Sequence, residues 1–204
     1  MRVSAGRGIT VAPHKDWNVT EPLALLVRSD HASMFHWLEV RIMLEAEAVG
    51  LAAQRATDED IDVLRHIMNR LVVHVDDPDR YRELDIAFHV SIARATHNSA
   101  LLRLFEGVIQ PLRDQIEERA LTPQMRHLSN REHLDILSHL TRGDDVEARA
   151  AMSAHVGRVA DDIREVIGTD PRNEDTVDST GVARYFAARD QGHLVLDQAN
   201  DSRG

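Results

Sequence analysis

The chain has 204 residues, 43% apolar but only 4% aromatic, which suits one domain with a sizeable core packed through aliphatic side chains. Its formal charge of -10 excludes a surface that grips nucleic acid over most of its area, and the lack of cysteine excludes disulfides and thiolate metal sites. No apolar run approaches the ~20 residues of a membrane span, and MRVSAGRGITVAP lacks the apolar centre of a secretory signal, so a cytoplasmic protein is expected.

Residues 1–16 are Gly-containing, β-branched and mildly basic. There GRG followed by ITV reads as a turn leading into one short strand, with nothing in this chain to pair with it. Residues 17–31 form a linker with a short helix, Thr20 as N-cap and Glu21 and Pro22 in its first turn. From Ala32 to Ala56 the residues Phe35, Leu38, Ile42, Val49, Ala52 and Ala53 recur at helical spacing. Thr57 then reads as an N-cap with Asp60 as the capping-box acid, ahead of Ile61, Leu64, Ile67, Met68 and Leu71, and this helix runs to about His74.

A break at 76–79 precedes the helical stretch YRELDIAFHVSIARAT, Tyr81 to Thr96. Asn98 or Ser99 caps the next helix, whose apolar members are Leu101, Leu102, Phe105, Val108, Ile109 and Leu112; Pro111 predicts a kink within it, and Thr122-Pro123 ends the run. Two final helices, roughly Met125 to Thr141 and Asp144 to Ile167, meet at a short joint. Gly143 fits its left-handed C′ position and Asp144 the following N-cap, which makes an antiparallel pair. Residues 169–204 begin with a polar, aperiodic stretch and are read as a tail. The expected fold class is all-α, an antiparallel bundle of six or seven helices, and no internal repeat is present.

Asp85 and His89 stand four residues apart, so on a helix they share a face and aim at one point. His133 and His155 lie on the apolar stripes of their own helices. They fall ten residues before and twelve after Gly143, at comparable height above the joint, and so can face each other across the hairpin. One such histidine alone reads as a hydrogen-bonded core residue, and Asp-x-x-x-His alone as a plain helix pair. Together, three imidazoles and a carboxylate buried without a shared partner would lose ~1–3 kcal/mol for each unpaired group. A divalent transition metal (zinc, nickel, manganese or iron) would satisfy all four and leave one or two positions for water or a carboxylate. His127 and His139 are turned away from His133 by their spacing of six, and the remaining histidines show no partner spacing. The chain carries no HExxH, no paired Glu-x-x-His, no Gly-rich phosphate loop and no G-x-S-x-G.

The stretches LEVRIMLEAEAVGLAAQRATDEDIDVL, DIAFHVSIARATHNSALL and REHLDILSHLTRGDDVEARAAMSAHV resemble the FCD effector-binding domain of FadR-type regulators in the GntR family of bacterial transcription factors. The likeness covers about Met34 to Ile167 and carries R-x-x-L-E, A-A-x-x-A-T, D-x-x-F-H, N-x-x-L, E-H-x-x-I-L, G-D and A-x-x-x-M-x-x-H in order. It implies a helical bundle over 32–168 holding a metal on Asp85, His89, His133 and His155, beside a site for a small carboxylate-bearing effector. Arg41 matches the arginine that reaches toward the effector in several members; its alternative role is an ion pair with Glu45 one turn on. The family also implies a homodimer and a winged helix-turn-helix that binds DNA. Here GRGITVAP resembles only the closing strand of the wing, so residues 1–16 are read as its remnant, and this chain is expected not to bind an operator by itself. The rival reading is a metal-dependent enzyme using the open coordination position, with Glu83 or Glu132 as general base, or else as a partner that orients a histidine. A helical interaction module without metal is the third.

Overall fold

The computed structural model describes residues 2–3, 9–10, 34–115 and 122–168, together with helical positions at Pro22 and Leu25. Two residue pairs make a minimal antiparallel ladder, β1 (Arg2–Val3) and β2 (Ile9–Thr10), with Arg2 opposite Thr10 and Val3 opposite Ile9. This corrects the expectation of an unpaired strand: the partner of Ile9–Thr10 is Arg2–Val3. The rest of the expected linker helix in 17–31 and the tail in 169–204 lie outside the described residues.

Among the described residues six helices follow: α1 (Met34–Arg55), α2 (Asp58–Val73), α3 (Pro78–Ala95), α4 (Ser99–Gln115), α5 (Pro123–Arg142) and α6 (Asp145–Gly168). Their boundaries are set by local chemistry. Thr57 accepts from the Asp60 amide while Asp60 reaches back to the Thr57 amide, a complete capping box that separates α2 from α1. Asp77 accepts from the Arg80 amide at the head of α3, with Pro78 where a missing N–H goes unneeded. Asn98 accepts from the Ala100 and Leu101 amides at the head of α4, which continues across Pro111 to Gln115. Thr122-Pro123 acts differently from expectation. The Thr122 hydroxyl accepts from the Met125 amide and Pro123 takes the first helical position, so the pair starts α5 two residues before Met125 instead of closing α4.

The helix α1 packs along α6 and also meets α3, α4 and α5, while α2 covers α3 and α5. The core they share is aliphatic with few rings: Ile42, Val49 and Ala52 of α1, Leu64 and Leu71 of α2, Phe88 and Ile92 of α3, Phe105 and Ile109 of α4, Ile136 of α5 and Val156 of α6. All five apolar positions expected on α2 are buried. Gly50 sits inside α1 without ending it. A Cβ there would meet the Arg149 guanidinium at 2.2 Å, so the glycine lets that side chain of α6 lie across α1 and pair with Glu47 and Asp145.

The α5–α6 joint is the hinge of the site geometry. Gly143 has φ 75° and ψ 16°, and its amide donates to the carbonyls of His139 and Leu140, with the Asp144 amide also on the His139 carbonyl. A Cβ at Gly143 would meet only the Ala53 carbonyl oxygen, at 3.6 Å, an ordinary contact, so a side chain there is opposed by backbone conformation and not by crowding. Gly143→Ala should therefore lower the unfolding free energy by about 1–2 kcal/mol in denaturant titration. Loss of the Thr57 cap in Thr57→Ala should lower it by about 1 kcal/mol.

Candidate metal centre

Three helices aim four polar side chains into one spot of this apolar interior. Asp85 and His89 come from consecutive turns of α3, His133 from α5 and His155 from α6; all four are buried, with His133 fully enclosed. One ring nitrogen from each of His89, His133 and His155 lies within 4.8 Å of the other two. His133 Nε2 and His155 Nε2 are 3.1 Å apart across the α5–α6 hairpin, as their equal height above Gly143 predicts. Asp85 Oδ1 is 3.5 Å from His133 Nε2 and 3.9 Å from His89 Nε2. The fully buried ring of Phe88 walls the cluster, 4.6 Å between centroids from His133 and edge-on to His89.

Two of the three rings meet a carboxylate on their outer side. His155 Nδ1 donates to Glu132 Oε2 at 2.7 Å, so in the neutral ring the lone pair sits on Nε2 and faces the centre. Burial lowers the His155 pKa and favours that neutral form, against the opposing pull of Glu132. Glu132 is itself gripped in bidentate fashion by Arg158, whose Nε reaches Oε1 and Nη2 reaches Oε2, both at 2.6 Å. Arg158 is braced in turn by Asp162 and Ser129. Burial would raise the Glu132 pKa, but the hydrogen bonds and charges of His155 and Arg158 prevail and lower it to about 2. On the other side Glu45 of α1 meets His89 Nδ1 with one oxygen and accepts from Arg41 Nε with the other, at 2.6 Å. Glu45 is deeply buried, which opposes ionisation; Arg41 and His89 outweigh this and hold its carboxyl far below the usual range.

The sequence-derived quartet of Asp85, His89, His133 and His155 is thus brought together, and Arg41 lies buried one carboxylate away, in the ion pair with Glu45 weighed as its alternative role. Glu132 orients His155, whereas Glu83 is exposed and pairs with Arg80 on the surface, so Glu83 is removed from the site. Sequence reading did not anticipate the contact of Glu45 with His89. Its signal was present: Glu45 lies one turn after Arg41 on the apolar face of α1, where a carboxylate needs two partners. The donor set suits a borderline divalent metal. Among the described residues neither nitrogen of the buried His89 ring completes a well-aligned hydrogen bond, Nδ1 approaching Glu45 Oε2 only as an ion-pair contact, and the converging Nε2 atoms of His133 and His155 would set lone pair against lone pair if both rings were Nδ1-protonated. A cation relieves both.

Comparison with known proteins places this geometry in context. A family model described as the FCD domain matches residues 36–158. A regulatory protein of the L-lactate dehydrogenase operon of Escherichia coli (strain K12) is 30% identical over 153 residues, 72% of this chain and 58% of that protein. The Nta operon transcriptional regulator of Aminobacter aminovorans is 32% identical over 66% of this chain and 63% of its own length. The chain therefore spans about three fifths of these two relatives. A solved structure titled Streptococcus agalactiae GntR superposes with a TM-score of 0.60 at 23% identity, covering 78% of this chain and 73% of that one, which shows a shared fold.

Glu132, held by His155 and Arg158 against the cost of its burial, carries a pH-dependent share of stability. With the Glu132 pKa moved from 4.5 to about 2 on folding, that share is fully present above pH 4.5 and is lost as pH falls through 4.5 toward 2. Arg158→Met should lower the unfolding free energy at pH 7 by on the order of 1–3 kcal/mol, and the gap to the parent protein should narrow across that window. Urea unfolding at a series of pH values measures both.

Proposed function

Because the chain belongs to the FCD domain family, we propose that it is the effector-sensing part of a bacterial GntR-type operon regulator, with a divalent transition metal held by Asp85, His89, His133 and His155. The observation that carries this reading is the buried convergence of three imidazole nitrogens within 4.8 Å, with the Asp85 carboxylate beside them. When bound, the metal supplies a Lewis-acidic centre for one oxygen of a small organic acid. The protein's own residues do the rest. Glu132 and Glu45 fix the His155 and His89 rings, Phe88 and the surrounding aliphatic core keep water away, and Arg41 offers a guanidinium to the effector carboxylate.

The relatives are transcriptional regulators and not enzymes. The surroundings of the cluster agree with sensing: both carboxylates that touch its histidines are neutralised by arginines, Glu45 by Arg41 and Glu132 by Arg158, and neither is poised as a base. Of the regulators named above, one is named for the L-lactate dehydrogenase operon and the other for the Nta operon. A carboxylate effector for this chain fits Arg41 and the metal together. In the intact regulator the domain would work as a homodimer, and an effector that binds one arrangement better than another would alter the spacing of DNA-reading heads supplied by a winged helix-turn-helix. Residues 1–16 then correspond to the end of the wing and 17–31 to the linker. No helix among the described residues is long and apolar enough to cross a membrane.

Purified protein should carry about one equivalent of transition metal per chain by elemental analysis, removable by chelator and restored by zinc or nickel. Restored metal should raise the melting temperature, and organic acids should raise it further only in the loaded protein. His133→Ala should lose both responses together. Effector stabilisation that survives complete removal of metal would overturn the metal's role as anchor.

A further inference from the structure

One carboxylate serves two partners on opposite sides. Glu45 Oε1 accepts from Arg41 Nε, and Oε2 meets His89 Nδ1; all three side chains are buried to within 2% exposure. Arg41 and Glu45 stand one turn apart on α1, and His89 is on α3, so the carboxylate is also the polar link between those helices. The Nε of Arg41 is committed to Glu45. A carboxylate fixed at one end by a planar guanidinium can point its other oxygen in only a narrow range of directions. That range sets which nitrogen of His89 carries the proton and where Nε2 points.

We propose that Glu45 is a positioning residue that makes Arg41 a remote determinant of metal affinity. The guanidinium holds Glu45, Glu45 holds the His89 ring with Nδ1 as donor, and the ring then presents Nε2 to the centre. This rests on the metal reading given above. It adds that Arg41, which touches none of the four ligands in the geometry described, influences metal binding before any effector arrives, and does so through one carboxylate. By reciprocity, a metal that draws on His89 also firms the hold of Glu45 on Arg41 and so prepares the anion anchor.

Zinc affinity measured by competition with a chelator of known strength, with no organic acid present, tests this in a two-residue cycle of Arg41→Gln, Glu45→Gln and the double variant. Glu45→Gln should weaken zinc by about 10–100-fold. Arg41→Gln should weaken it measurably, and the double variant should be no weaker than Glu45→Gln alone, because both changes act along one path. Unaltered zinc affinity in Arg41→Gln, or losses that multiply in the double variant, would overturn the proposal. Should Glu45→Gln fail to fold with Arg41 left uncompensated, nitrogen NMR of the zinc-loaded parent protein decides. His89 is expected as the Nδ1–H tautomer with a strongly hydrogen-bonded signal that changes in Arg41→Gln; an Nε2–H ring, or a signal indifferent to Arg41, refutes it. Absence of zinc binding in the parent protein would instead sink the metal reading itself.

Discussion

Polar groups buried together must answer to one another, and here the demand is concentrated on three imidazole rings and one carboxylate enclosed by aliphatic side chains. Water cannot reach them to complete their hydrogen bonds, and each ring has only two nitrogens to place. The fold sets a carboxylate against the outer nitrogen of two rings: Glu132 accepts from His155 Nδ1, and Glu45 stands in ion-pair contact with His89 Nδ1. Once those are fixed, the inner nitrogens of both rings are turned to the centre, where they meet His133 and Asp85. The remaining structure follows from keeping that arrangement enclosed.

The helices carry the arrangement because their joints are short and stiff. A left-handed glycine between α5 and α6 sets those helices antiparallel and fixes the opposition of His133 and His155. The i,i+4 step of α3 places Asp85 and His89 without any loop involvement. The helix α1, which packs against α3, α4, α5 and α6, brings in Glu45 and Arg41. Each carboxylate that steadies a ring is in turn paired with an arginine, so charge is balanced locally at the buried Glu45 and at the partly exposed Glu132. A site built on helices and not on loops gains in precision what it gives up in adaptability.

Much of this was legible in the chain. Periodicity revealed all six helices, and the capping box at Thr57 and the glycine at 143 marked two boundaries to within a residue. Helical spacing joined Asp85 to His89 and distance from the turn joined His133 to His155, relations nearly independent of side-chain packing, whereas the meeting of the two pairs was expected from the cost of burying polar groups unpaired and from the family resemblance. What escaped depended on contacts between distant segments. Nothing local says that Glu45 reaches His89, forty-four positions on, or that Arg2–Val3 returns to pair with Ile9–Thr10. Thr122-Pro123 was read as a stop because proline breaks a helix interior, yet the same dipeptide is a preferred start, and only the direction of the hydrogen bond to Met125 separates the two.

The central claim is that these four side chains share one metal ion. A crystal of the zinc- or nickel-loaded protein, with diffraction recorded on both sides of the metal's absorption edge, tests it directly. The account predicts a single strong anomalous peak enclosed by Asp85, His89, His133 and His155, with Nε2 of each ring turned toward it. A peak confined to surface histidines, with the buried rings bonded only to one another, would contradict it.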